Sequence, residues 1–142
     1  MAAISLRRAR TIIRKALDHG KAEGMNPLSV VVLDSGGHLI AFEREDGASP
    51  GRFLIAQGKA YGSVMLGMAG TAQMKRAEAQ AYFIAAAGAA LGGQMIPVPG
   101  GVLVRDAKGA VLGAVGVTGD SSDNDASAAK TGIEAAGLSA EI

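Results

Sequence analysis

Glycines spaced through residues 109–119 constrain this chain more than any other feature. Gly109, Gly113, Gly116 and Gly119 run along an apolar, strand-like stretch (Ala110–Val117) into a loop and a helix start. Glycine weakens a strand interior unless another backbone or a flat ligand must come close. Two further uses are open. Loop N–H groups can form an anion-binding concavity, and the following helix N-terminus adds donors and the positive end of a dipole. Asp120, Asp123 and Asp125 cluster at the same place and can satisfy that terminus themselves. Composition enters here, because Gly (21) and Ala (28) together supply 49 of 142 residues, which fits either a low-complexity chain or a closely packed one. Val, Ile, Leu and Phe number 33 of 142, or 23%, above the level of disordered chains. The expectation is one globular domain over residues 1–142 with a core of small aliphatic side chains.

Residues 5–23 read as a helix, with Ser5 as cap and Gly24 as stop. Leu6, Ala9, Ile12, Ile13, Ala16 and Leu17 form its apolar stripe. Arg7, Arg10, Arg14 and Lys21 form the opposite face, read as solvated because aromatic residues do not interleave. Residues 29–34 and 38–43 read as a hairpin around Ser35-Gly36-Gly37. After the loop Asp46–Gly51, residues 52–68 predict a helix with Phe53, Ala56, Ala60 and Val64 on one side. Thr71 caps a further helix through about Gly88, and Gln94–Val98 reads as a short strand. Val102–Arg105 and Ala110–Val117 form a second hairpin, and a last helix covers 122–136, capped by Ser121 or Ser122. The order α-β-β-α-α-β-β-β-α with two hairpins favours an antiparallel sheet with helices packed on it, an α+β domain.

Several chemistries are excluded. With no Cys there is no disulfide, thiolate site or thiol nucleophile. With only His19 and His38, one chain offers no multi-histidine metal site, and no metal is expected. The net charge is +1, so no overall field favours nucleic acid. Phosphate loops of the G-x-x-x-x-G-K-[ST] and G-x-G-x-x-G types are absent, as is a G-x-S-x-G nucleophile elbow. Arg7, Arg8, Arg10, Arg14 and Lys15 interrupt any signal-peptide core. No run of about 18 apolar residues suggests a membrane span. A cytoplasmic location is expected.

The remaining candidates each have two readings. His38, at a turn, is a ligand or general base, or else a solvated turn residue. His19 near a helix end interacts with the dipole. Met65 and Met68 contact a flat apolar ligand or fill core. Arg44 clamps a carboxylate, with Glu45 and Asp46 beside it, or the three form a charged strand exit. Lys59, in a small-residue helix, must snorkel or meet an acid.

These residues resemble the GlcG/HbpS-type family, which contains haem-binding proteins. The resemblance covers residues 4–137 and rests on five markers in order. They are Val31-Val32-Leu33-Asp34-Ser35-Gly36-Gly37-His38-Leu39-Ile40-Ala41-Phe42, Arg44-Glu45-Asp46-Gly47-Ala48, Ala56-Gln57-Gly58-Lys59-Ala60, Pro99-Gly100-Gly101-Val102, and Gly113–Gly119 followed by Asp125. It implies a profilin-like α+β fold, about five antiparallel strands flanked by helices. It also implies homo-oligomers, some of high order, with haem as candidate cofactor and links to haem degradation or redox sensing. Related domains are fused to adenosyltransferases of the PduO type. Many relatives carry a Ser-Gly-Gly-like run and a Gln-Asp pair where this chain has Thr118–Asp125.

The leading expectation is a small oligomeric haem- or tetrapyrrole-binding protein. Arg44, Lys59, Pro99, Gly100, Gly101, Gly116 and Asp125 are its ligand-binding candidates, and His38, Met65 and Met68 its axial candidates. The first alternative is a catabolic isomerase or hydrolase for a small carboxylated molecule, with Lys59, Asp46 or Asp125 as acid or base. The second is an assembly protein without ligand.

Overall fold

A computed structural model describes residues 3–142. The elements in chain order are α1 (Leu6–Ala22), β1 (Ser29–Asp34), β2 (Leu39–Arg44), α2 (Arg52–Leu66), α3 (Gly70–Ala79), α4 (Ala81–Ala90), β3 (Gly101–Arg105), β4 (Val111–Thr118), α5 (Ser122–Ala135) and β5 (Ser139–Glu141). All five strands pair antiparallel in one sheet of order β2-β1-β4-β3-β5. The α+β expectation of a five-stranded antiparallel sheet flanked by helices is met.

Pleating divides the apolar residues between two cores. Val30, Val32, Val102, Val104, Val115 and Val117 face α1 and α5, where Ile12, Ile13 and Ile133 meet them. Val31, Leu33, Leu103 and Ala114 face α2 through Ala56 and Ala60. β1 is apolar from Val30 to Leu33, without alternation, because helices cover both of its faces. α1 is fixed as its sequence suggests. The Ser5 hydroxyl accepts from the Arg8 N–H at 3.1 Å, and Gly24 follows the helix at φ +66, a conformation glycine adopts without strain. Of the stripe, Ala9, Ile12, Ile13 and Ala16 are buried, while Leu6 lies at the open edge, 48% exposed.

The glycines bring backbones into contact, the first of the uses considered above. A Cβ on Gly116 would collide with the Ala56 carbonyl, one on Gly101 with the Lys59 carbonyl, and one on Gly113 with the Leu33 carbonyl. Gly101 and Gly116 face each other across β3 and β4. Together they form a floor without side chains on which α2 lies.

Four expectations need correction. The helix predicted from Thr71 to about Gly88 is two helices, α3 and α4, broken at Gln80 (φ −143, ψ 66). Arg76 fixes the corner: its Nε donates to Gln80 Oε1 at 2.5 Å, and its guanidinium lies 4.1 Å from the centre of the Phe83 ring. Thr71 is not the cap. Ala69 holds that position, and Gly70 starts the helix pressed against the Val98 carbonyl, where no side chain fits. Gln94–Val98 is not a strand. Pro97 and Pro99 bring no N–H, and Ile96 N–H donates instead to the Gly58 carbonyl of α2 at 3.1 Å. The fifth strand is β5, which pairs Leu103, Val104 and Arg105 of β3 with Glu141, Ala140 and Ser139. The predicted order therefore changes at its end: the last helix is followed by a strand. Among the described residues, no helix is long and apolar enough to cross a membrane.

Candidate functional site

The predicted site residues separate into three places. The first is the seam between α2, β4 and α5. Lys59 projects from the buried face of α2, and Asp125 from the first turn of α5. Lys59 Nζ donates to Asp125 Oδ2 at 3.1 Å and to the Val117 carbonyl at 3.0 Å. The two residues are 3% and 1% exposed. Asp125 Oδ1 accepts from the Asp120 N–H at 2.9 Å. Burial pushes the Lys59 ammonium below its usual range and the Asp125 carboxyl above its own, while each partner's charge opposes the shift. Gly100 leaves room for the ammonium: a Cβ there would sit 2.8 Å from Nζ. Gly100, Gly101 and Gly116 thus belong to this seam, while Pro99 lies against Gly70 at the start of α3. None of the cavities described below is lined by Lys59 or Asp125. The loop before α5 offers no open nest of donors, since Asp125 takes the Asp120 N–H and Ser121 Oγ takes the Asn124 N–H.

The second place is the tip of the β1–β2 hairpin. Asp34 Oδ1 accepts from the N–H groups of Gly36 and His38, both at 2.9 Å, and lies 3.2 Å from His38 Nδ1. The His38 N–H, ahead of the Gly36 N–H and the ring, holds the Asp34 carboxyl below its usual range. The His38 side chain is 81% exposed. Gly37 (φ +83) rests against Tyr61 and Met65: a Cβ there would lie 3.2 Å from Tyr61 Cε1 and 2.8 Å from Met65 Cε. Leu39 is exposed beside it. The end of α2 therefore meets the hairpin at this tip. Met68 lies beyond the end of α2, where its carbonyl accepts from Gln73 Nε2 at 2.7 Å. No contact joins it to His38.

The third place is the opposite end of β1 and β2. Arg44 and Asp46 line a polar cavity of about 430 Å³ with Leu17, Lys21, Glu43 and Glu45. Asp46 is exposed and lines this cavity, which Lys59 and Asp125 do not. Two residues that the sequence reading missed sit here. Arg52, in the first turn of α2, donates from Nη1 to Thr118 Oγ1 at 2.8 Å and from Nε to Ser49 Oγ at 3.1 Å. Ser29, opposite Thr118 in the sheet, is fully buried with no partner for its hydroxyl. A visible sign was available: a cation opens a helix with no acid in its first turn, against the dipole. His19 takes no part in any of these places. Its ring nitrogens lie 3.3 and 3.4 Å from the hydroxyls of Ser127 and Thr131 on α5.

Comparison with known proteins agrees with this fold. Residues 4–134 match the family model described as "Haem degrading protein HbpS-like". The chain belongs to the HbpS-like family. Among solved structures it is similar to a complex of PduOC with heme, at 22% identity and a TM-score of 0.85, covering 96% of this chain and 97% of that one. It is also similar to HbpS, at 26% identity and a TM-score of 0.80, covering 94% and 90%. A protein ORFY from Klebsiella pneumoniae follows at 24% identity and a TM-score of 0.77, covering 96% and 93%. No curated protein sequence matches. The five sequence markers fall on the β1–β2 hairpin, the loop after it, the buried face of α2, the turn into β3, and β4 with the start of α5.

Proposed function

We propose that this chain binds haem at the β1–β2 hairpin, with His38 Nε2 as the axial nitrogen. One observation carries the reading. The Asp34 carboxylate lies 3.2 Å from His38 Nδ1, and the imidazole is otherwise open to solvent. A carboxylate on one ring nitrogen fixes the tautomer and makes the other a better ligand. When bound, haem supplies an iron that takes this nitrogen and exchanges electrons or small ligands. Tyr61, Met65 and exposed Leu39 give the tip an apolar flank suited to a porphyrin face. HbpS-like family membership and the heme complex of PduOC support the haem-binding part of this reading.

The fit is to one face of the group. The cavities of about 290–450 Å³ lie elsewhere and none is lined by His38. A second copy of the chain covers the other face, which makes a homo-oligomer part of the proposal. Lys59 is committed to Asp125 and leaves the haem carboxylates to other groups. Lys59 and Asp125 are hydrogen-bonded to each other and 3% and 1% exposed, so the haem reading stands ahead of the enzymatic one. Haem degradation or redox sensing is the wider role this reading serves. Titration with hemin, followed in the Soret region, tests it. A saturable shift at micromolar protein that His38→Ala abolishes is expected. No shift, or the same shift in His38→Ala, contradicts it.

A further inference from the structure

Arg52 is a half-buried cation with no acidic partner among the described residues. Two neutral hydroxyls, Thr118 Oγ1 and Ser49 Oγ, hold its Nη1 and Nε and leave Nη2 free. Its charge stands in the first turn of α2, where the dipole already presents positive potential and Gly51 provides no side-chain cap. It also acts on Lys59, lowering the tendency of that ammonium to stay charged. A guanidinium so placed is unfavourable by every local rule, and a bound anion would reverse the sign of each effect.

The second observation is independent of the helix. Ser29 opens β1 on the face that Val31 and Leu33 turn toward α2. It is directly opposite Thr118 on one side and Arg44 on the other, so Arg44, Ser29 and Thr118 form one row across β2, β1 and β4. The Ser29 hydroxyl is fully buried and has no partner. A buried donor without an acceptor is destabilising, and this one stands directly across the sheet from Thr118, whose hydroxyl tethers the guanidinium. The hydroxyl lacks an acceptor and the guanidinium lacks a negative charge; a planar oxyanion supplies both.

We propose that Arg52, Ser29 and Thr118 form a carboxylate-binding site for a small organic acid, with Arg44 at its outer edge. Ser29 is closed off in the unliganded chain, so binding includes exchange of the Arg52–Thr118 hydrogen bond for one to the bound carboxylate. The site is separate from the haem-binding tip. Five residue steps along β1 divide Ser29 from Asp34, on the order of 17 Å. A chain that fails to bind haem still binds a carboxylate here, and the converse also holds.

The test is an NMR titration of the full chain with sodium acetate, against sodium chloride at matched ionic strength. Saturable shifts are expected at the Arg52 Nε–H and at the amides of Ser29 and Thr118, in acetate alone. Arg52→Gln should weaken binding about tenfold or more, and Arg52→Lys should do nearly the same because the two tethers are lost. Ser29→Ala, a small apolar replacement in a buried site, keeps the test alive if the Arg52 variants do not fold. It should weaken binding by about threefold, as loss of a neutral hydrogen bond does. Shifts that chloride reproduces, or affinity unchanged in both Arg52→Gln and Ser29→Ala, overturn the proposal.

Discussion

Two acid–base pairs in this molecule have nearly the same length and opposite meanings. Lys59 and Asp125 meet at 3.1 Å with side chains 4% and 1% exposed; His38 and Asp34 meet at 3.2 Å with side chains 81% and 43% exposed. In the sealed pair both charges have lost their water, and removing either one strands the other. The pair ties α2 to α5 across the end of β4, over a floor of glycines that admits no side chain. In the open pair, water surrounds both groups and the stability at stake is small. What the open pair fixes is direction: one ring nitrogen is engaged and the other is presented outward. Burial turns one pair into a joint of the fold and leaves the other free for a ligand.

The comparison can be broken most forcefully at the sealed pair. Asp125→Ala should cost about 3–5 kcal/mol in urea unfolding, because it leaves the Lys59 ammonium buried and alone. Lys59→Met combined with Asp125→Leu should cost less than Asp125→Ala by itself; a larger loss would mean the pair does more than neutralise itself. Gly116→Ala should cost about 1–3 kcal/mol by pushing α2 off the sheet through the Ala56 carbonyl. His38→Ala should change stability by no more than about 0.5 kcal/mol.

The smallest effect is a titration. Asp34 has a folded-state pKa below its usual 3.8, chiefly through the His38 N–H. A depressed carboxylate contributes stability that is present above the unfolded value and lost as pH falls through the folded one. A carboxyl-detected NMR titration should place the Asp34 midpoint below 3.8, and Asp34→Asn should remove the pH dependence of the Gly36 and His38 amides. A midpoint at or above 3.8 would show that the turn does not hold the carboxylate.

Much of the fold was legible because local chemistry marks it. Ser5 and Ser121 cap helices as their positions suggest, and glycines stand at the turns. The break at Gln80 was hidden, since no Pro or Gly marks it and the corner is made by Arg76 with Phe83. β5 was hidden because three residues, Ser-Ala-Glu, carry no alternation. The need of Lys59 for an acid was readable from its apolar helix, but its partner lies 66 residues away and only the topology brings it there. Arg52 and Ser29 were passed over because each looks ordinary in sequence; their isolation from partners exists only in the folded chain.

Ligand rescue tests the central claim most directly. In His38→Ala, hemin should give no ligated Soret spectrum, and added imidazole should restore it, while thermal unfolding without hemin stays as in the parent chain. A His38→Ala protein that binds hemin with the parent spectrum, or one that loses the spectrum only because it unfolds, would contradict the account.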